Sequence, residues 1–274
     1  MSPRSSLRLT EAALLGVLHG PAELLPISSS AHVALVPWLL RWDYAELDPE
    51  PRKEFEVALH AGTAAALLIV LRAEVGDFVR NLSPRALALV GLASAPAALA
   101  GYALERPIER HLGTPATIAT GLLAGGVVLA WADRTPQRRT SADASASDAL
   151  CLGVAQACAL VPGVSRSGAT LAAARRRGFA REDAHRLSRH AALPVIAGAA
   201  ALKGVRAGRR GFARGGAAQI TAGVAASFFS TLATARVIRR LERDRSLAPY
   251  AVYRTALGAT VLRRLTAPGT TMTS

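Results

Sequence analysis

The chain has 274 residues, 51% hydrophobic and 19% charged, with 33 Lys and Arg against 19 Asp and Glu, a formal net charge of +14. That apolar fraction is ordinary for a soluble domain, but its distribution is not: charges gather in short clusters, and the Ala-, Leu-, Val-, Gly- and Ile-rich stretches between them leave too few polar positions to give every helix a wet face. The Arg clusters flank apolar segments instead of forming one basic face, and aromatics are only 5%, which argues against a nucleic-acid partner and for loops beside anionic lipid headgroups.

In chain order, Met1–Thr10 carries Arg4 and Arg8, and the apolar run after it is interrupted by Glu11, His19, Glu23 and Pro26. This is not the pattern of a cleavable signal peptide, so the first hydrophobic segment is expected to be retained. A bilayer span needs roughly 20 mostly apolar residues. The candidates are Phe55–Leu71, Ala86–Leu104, Ala116–Ala132, Ala149–Val161, Ala191–Leu202, Ala217–Ala235 and Ala248–Leu262. Several are short or contain Pro, so some are expected to enter and leave by one face. Asp133–Asp148 reads as a flexible polar loop at 133–147 joining two halves, about 1–132 and 148–274, of a single membrane domain, and Lys203–Arg214 as a basic connector. Cys151 and Cys158 lie two helical turns apart and suit neither a metal knuckle nor a disulfide; they read as small packing residues. Basic residues occur in most loops, so the positive-inside bias gives no clean topology.

Two segments read alike: Leu15-Gly-Val-Leu-His19-Gly-Pro-Ala-Glu23-Leu-Leu-Pro26-Ile-Ser28-Ser29-Ser30 and Leu152-Gly-Val-Ala-Gln156-Ala-Cys-Ala-Leu160-Val-Pro162-Gly-Val-Ser165-Arg166-Ser167. They align without a gap from Leu to Ser, with the Pro displaced by one position. Interrupted hydrophobic segments in both halves of a membrane chain point to a site. Pro26 and Pro162 lack an N–H, so a helix should end at each. The freed backbone groups cannot face lipid and must be buried in protein or line a wet cavity. Ser28, Ser29 and Ser30, and Ser165 and Ser167, then stand where a new helix begins. Free N–H groups and the positive end of the helix dipole there attract phosphate, although the same serines could simply cap helices.

The ionisable residues at these breaks are surrounded by apolar sequence, where an unpaired ion is costly and function is the default reading. His19 and Glu23 are four residues apart on one helical face, His32 follows the first Ser cluster, and Arg166 lies inside the second. Arg166 offers a planar cationic fork for phosphate oxygens. Glu23 can ligate a divalent cation or take a proton, His32 can move a proton near neutral pH, and a Ser hydroxyl becomes a nucleophile only beside such a base or metal. Gly163 and Gly168 permit close backbone approach to phosphate.

Together, His19-Gly-Pro-Ala-Glu23-Leu-Leu-Pro26-Ile-Ser28-Ser29-Ser30-Ala31-His32 and the run Pro162–Thr170 resemble the two signatures of the undecaprenyl-diphosphate phosphatase family, the bacitracin-resistance phosphatases. Phe55–Thr63 and Pro249–Arg254 are similar to further segments of that family. The resemblance implies an all-α, polytopic membrane protein of the bacterial inner membrane, with inverted repeats and two re-entrant helical hairpins meeting in a pocket. It implies hydrolysis of a polyprenyl diphosphate lipid to the monophosphate, activation by Mg²⁺ or Ca²⁺, and membrane lipids as partners; a homodimer is one assembly open to it. By resemblance, Glu23 would bind metal or act as base, Ser29 would be the nucleophile, His32 would handle protons, and Arg166 with Ser165, Ser167 and Thr170 would hold phosphate. Architecture of this kind also serves transporters, so a polyprenyl-phosphate flippase is the alternative. Three positions depart from the family: His19 replaces Glu or Gln and so removes a carboxylate ligand, leaving Glu23 with His19 as the candidate metal ligands; Ala31 replaces Gly; and Ser188-Arg189-His190 is polar where the family is apolar.

Overall fold

A computed structural model describes residues 7–192, 194, 216–241 and 245–267. Among them the regular structure is helical: α1 (Leu9–Leu24), α2 (Ser29–Leu40), α3 (Pro49–Val70), α4 (Arg72–Arg80), α5 (Pro84–His111), α6 (Pro115–Asp133), α7 (Ala146–Cys158), α8 (Arg166–Arg176), α9 (181–192), α10 (Ala217–Leu241) and α11 (Ala248–Thr266), with two short 3-10 turns and one isolated bridge, Arg139 to Phe179. Ser83, Thr114 and Ser145 start their helices by accepting a backbone N–H from the first turn, and Pro84 and Pro115 occupy first-turn positions whose N–H has no intrahelical partner to lose.

Pro84–Leu104 of α5, Pro115–Asp133 of α6 and Ala217–Arg240 of α10 are long and apolar enough to cross a bilayer. The segment expected from Phe55 to Leu71 is α3, and together with α4 it forms a broken span bent by 67° at Leu71. The expected span Ala191–Leu202 and the connector Lys203–Arg214 lie, apart from residues 191, 192 and 194, outside the described residues.

The two interrupted segments form helical hairpins. α1 ends before Pro26 and α7 before Pro162, where proline chemistry requires an end. At the open end of the first hairpin, the amides of Asp43 and Tyr44 donate to the Glu11 carboxylate at 3.2 and 3.0 Å, so α2 has returned the chain to where α1 began. At the open end of the second, Arg177 Nε donates to Asp148 at 2.5 Å. Helices of 11–16 residues are about 17–24 Å long at 1.5 Å per residue, less than a full bilayer crossing.

The hairpins open in opposite directions. α6 and α11 run side by side through the molecule. At one end their Ile118 and Val261 pack with Leu35 of α2. At the other, Leu129, Leu247 and Ala251 pack with Leu171 of α8, and Asp133 accepts the amide of Leu247. The halves also interlock: α1 lies along α10, where a Cβ on Gly16 would come within 2.5 Å of the Gly223 carbonyl oxygen, and α7 lies along α5.

Between the hairpin tips sits Arg254 of α11, wholly buried. Its guanidinium donates to the carbonyls of Pro26 at 3.1 Å, Gly163 at 3.0 Å and Val164 at 2.7 Å. Backbone oxygens freed by both breaks therefore receive their protons from one side chain. The segment expected to be a flexible loop between the halves is instead tied down. Arg138 and Arg139 donate their amides to Gly178 O, Arg139 also grips Asp148, and Ser141 N donates to Asp183. The polar run Ser188-Arg189-His190 is likewise partnered: Ser188 with Thr170, Arg189 with Glu74, and His190 against Phe78.

Each buried carbonyl left without a donor costs about 1–3 kcal/mol. Arg254→Leu should therefore lower the thermal unfolding midpoint of the detergent-solubilised protein markedly, with Arg254→Lys recovering only part, because an ammonium cannot span all of these oxygens. A Leu variant melting with the parent would contradict this role.

Candidate active site

The second helix of each hairpin begins in the same way. Ser28 and Ser165, equivalent in the repeat, are N-caps held at positive φ, 74° and 69°. Each accepts the amide three residues on, from Ala31 and Gly168. Each also pairs with the hydroxyl two residues on, Ser30 at 3.3 Å and Ser167 at 3.2 Å. A non-glycine residue in this region is strained, and such strain collects at functional sites. The Ala31 departure is accommodated because Ala31 lies in the first turn of α2 and the positive φ falls on Ser28.

Because the caps correspond, so do the next residues, Ser29 and Arg166, and the structure brings both to Glu23. Ser29 Oγ donates to Glu23 Oε2 at 2.5 Å, and Arg166 Nη2 donates to Glu23 Oε1 at 2.9 Å. The side chains of Glu23 and Arg166 are 12% and 24% exposed, enough to meet a ligand while most of their surface is out of water. Ser167 Oγ ties the second tip to the first through Leu25 O at 3.2 Å.

His32 lies behind this group, fully buried. Its Nδ1 is 2.7 Å from Ser28 O, which fixes the proton on that nitrogen, and its Nε2 is 2.7 Å from the Tyr253 hydroxyl, which donates to it. The ring also stacks on Tyr253. His19 is buried one turn before Glu23, with Nδ1 2.9 Å from Thr63 Oγ1 of α3. His60, from the same face of α3, stands at the edge, its ring 4.5 Å from that of His19 and its Nδ1 3.7 Å from Glu23 Oε2.

The structure thus brings Ser29 and Arg166 onto Glu23, with Ser28 and Ser30, and Ser165 and Ser167, paired at the starts of the two helices that carry them. Three residues expected at the phosphate have other duties. Thr170 is wholly buried, bonded to Arg166 O at 2.9 Å and to Ser188 at 2.6 Å, so it joins α8 to α9. Gly163, at φ 91°, is required because a Cβ would overlap the Ile118 carbonyl of α6. A Cβ on Gly168 would overlap the Arg254 guanidinium, so that glycine makes room for the arginine. Tyr253, Arg254 and His60 were not singled out from the sequence. Their only sequence signal was polarity inside apolar helices, in Phe55–Thr63 and Pro249–Arg254.

Residues 12–260 match the family model described as Bacitracin resistance protein BacA. A protein of Geobacter sulfurreducens named undecaprenyl-diphosphatase is 40% identical over 270 residues, covering 94% of this chain and 98% of that one. Proteins of the same name from Geobacter metallireducens and Trichlorobacter lovleyi are each 38% identical over 270 residues, covering 92% and 94% of this chain and 96% and 97% of theirs.

Substituting Ser28 or Ser165 by Gly should be tolerated for folding, since Gly relieves the positive φ while a Gly cap costs only a few tenths of a kcal/mol against Ser. Circular dichroism and melting of Ser28→Gly measure this; collapse of the fold would mean the hydroxyl carries more than a cap. Matched by the family model over most of its length and by relatives along nearly their whole chains, this multi-pass helical membrane protein belongs to the BacA family of bacitracin resistance proteins.

Proposed function

We propose that this chain is an undecaprenyl-diphosphatase of the bacterial inner membrane, hydrolysing the lipid diphosphate to the lipid monophosphate and inorganic phosphate and so recycling the carrier of cell-wall synthesis. The observation that carries the reading is the convergence of Ser29 and Arg166, from opposite hairpins, on the one carboxylate of Glu23.

With substrate present, Arg166 turns from Glu23 to the terminal phosphate, and the free N–H groups at the starts of α2 and α8 face the same oxygens. Glu23, already 2.5 Å from the hydroxyl, takes the Ser29 proton as Ser29 Oγ attacks the terminal phosphorus. The new Oγ–P bond forms as the bridging P–O bond breaks, and lipid monophosphate leaves. A phosphate leaving group, with a second pKa of about 6, needs little protonation at neutral pH. Glu23 then releases that proton to solvent, takes one from the water that attacks the phosphoserine phosphorus, and returns it to Ser29 Oγ as the Oγ–P bond breaks, releasing inorganic phosphate. His32 acts through Tyr253: it holds the phenol oxygen by accepting its proton and holds the Ser28 carbonyl by donating one, which sets the strained cap.

The Mg²⁺ or Ca²⁺ that the resemblance implies meets a poor donor set. Those ions take oxygen ligands, whereas the ligand groups clustered around Glu23 are the imidazoles of His19 and His60. No step of this mechanism runs through a metal.

Phosphate release from a polyprenyl diphosphate in detergent tests the reaction. Glu23→Gln, Ser29→Ala and Arg166→Ala should each slow it about 10²–10⁴-fold with the fold intact. Rates within a few-fold of the parent would remove the site, and movement of intact lipid across vesicles without phosphate release would replace the reaction by transport.

A further inference from the structure

Among the described residues, His19, Glu23 and His60 are the group whose ligand atoms, one from each, all lie within 4.8 Å of one another. The second observation is on His19. It is 1% exposed, its Nδ1 is bonded to Thr63, and its other nitrogen, Nε2, is buried without a hydrogen-bond partner. A buried nitrogen in that condition normally finds a donor or an ion.

The surrounding bonds admit the form of His19 that a metal needs. Thr231 Oγ1 donates to Ser227 O at 2.6 Å and lies 3.5 Å from Thr63 Oγ1. With the Thr231 proton committed to Ser227, Thr63 can point its own proton toward Thr231 and accept the Nδ1 proton of His19. In that form the unpartnered Nε2 carries a lone pair, and a hydroxyl held on the other ring nitrogen is the arrangement that orients a metal-ligating imidazole. His60, half exposed at the mouth, and Glu23 Oε2 complete the set.

We propose that His19, Glu23 and His60 form a binding site for a divalent transition-metal ion of the Zn²⁺ kind, with an open fourth position toward Ser29, in place of a site for Mg²⁺ or Ca²⁺. The chemistry follows from the donors. Imidazole suits Zn²⁺ and its neighbours, while Mg²⁺ and Ca²⁺ prefer oxygen. Two His and one Glu is a set that catalytic zinc sites use while leaving a coordination position free. Bonds of about 2.1 Å place tetrahedral donors about 3.4 Å apart, so a group spread over as much as 4.8 Å closes by up to about 1.4 Å, a movement open to His60 at the edge. The His19 departure thus changes the preferred ion; the site is not simply weakened by the loss of a carboxylate. The inference concerns the pocket of the proposed reaction but stands on its own geometry.

The test uses full-length protein purified in detergent without a polyhistidine tag and stripped of metal. Co²⁺ is titrated while its visible spectrum is followed, and Zn²⁺, Mg²⁺ and Ca²⁺ compete for it. The expected result is one Co²⁺ per chain with a tetrahedral spectrum, displaced by Zn²⁺ at least about 100-fold more effectively than by Mg²⁺ or Ca²⁺. His60→Ala or His60→Gln should weaken Co²⁺ at least about 10-fold, Thr63→Val about 10-fold or more through the loosened His19, and His19→Glu should move the preference toward Mg²⁺. Equal competition by Mg²⁺ and Zn²⁺, or an unchanged Co²⁺ spectrum in correctly folded His60→Ala and His60→Gln, overturns the inference. Phosphate release is measured on the same preparation. Metal held through His60 with no hydrolysis under any ion refutes the phosphatase reading alone, and hydrolysis by a chain that binds no Zn²⁺ or Co²⁺ refutes this inference alone.

Discussion

A polypeptide that stops its helix in the middle of a bilayer leaves carbonyl groups that neither lipid nor distant water can satisfy. Here both interruptions are resolved by Arg254, which lies buried between the tips and donates to Pro26, Gly163 and Val164. The protons of both its terminal nitrogens are committed to backbone oxygens. The two tips are thereby fixed relative to each other, and the reach of Arg166 across to Glu23 depends on that placement. Gly168 belongs to the same device, since any side chain there would displace the guanidinium.

The internal repeat supplies two matching halves, and the site arises where they differ. Ser28 and Ser165 occupy the same strained cap, but the next residue is a hydroxyl in one half and a guanidinium in the other. The position of His19 is Gln156 in the second half, where the amide donates to the carbonyls of Ala93 and Ala191 and serves packing. Glu23 corresponds to Leu160. In the proposed reaction one half therefore contributes base, hydroxyl and candidate metal ligands, and the other contributes the cation for the phosphate. The interlocking of α1 with α10 and α7 with α5 ties the two halves together around the contact of Arg166 with Glu23.

Much of this was legible in the residues themselves. Pro26 and Pro162 announce the breaks because proline cannot continue a helix, and the Ser clusters announce the new starts. Glu23, Ser29, His32 and Arg166 stand out because ionisable and hydroxyl groups are expensive in apolar surroundings. What was not legible depends on contacts distant in the chain. Arg254 lies far from both breaks in sequence, and although its place inside the apolar segment Ala248–Leu262 sets it apart, nothing local says that it reaches them. His60 becomes notable only beside His19, which requires knowing that α3 packs on α1. Gly163, Gly168 and Thr170 lie within a phosphate-like motif, yet their surroundings show packing against α6, Arg254 and α9, a distinction that needs neighbours and not spacing. The run from Asp133 to Asp148 looked flexible by composition because its partners, Gly178 and Asp183, come later in the chain.

The central claim is that Glu23 and Arg166, brought together from opposite hairpins, work as one unit on a phosphate. A double-mutant cycle on the rate of phosphate release, using Glu23→Gln, Arg166→Ala and the pair, measures that coupling most directly. The account predicts that the double variant is scarcely slower than the slower single one. Penalties that multiply, as for independent distant residues, would contradict it.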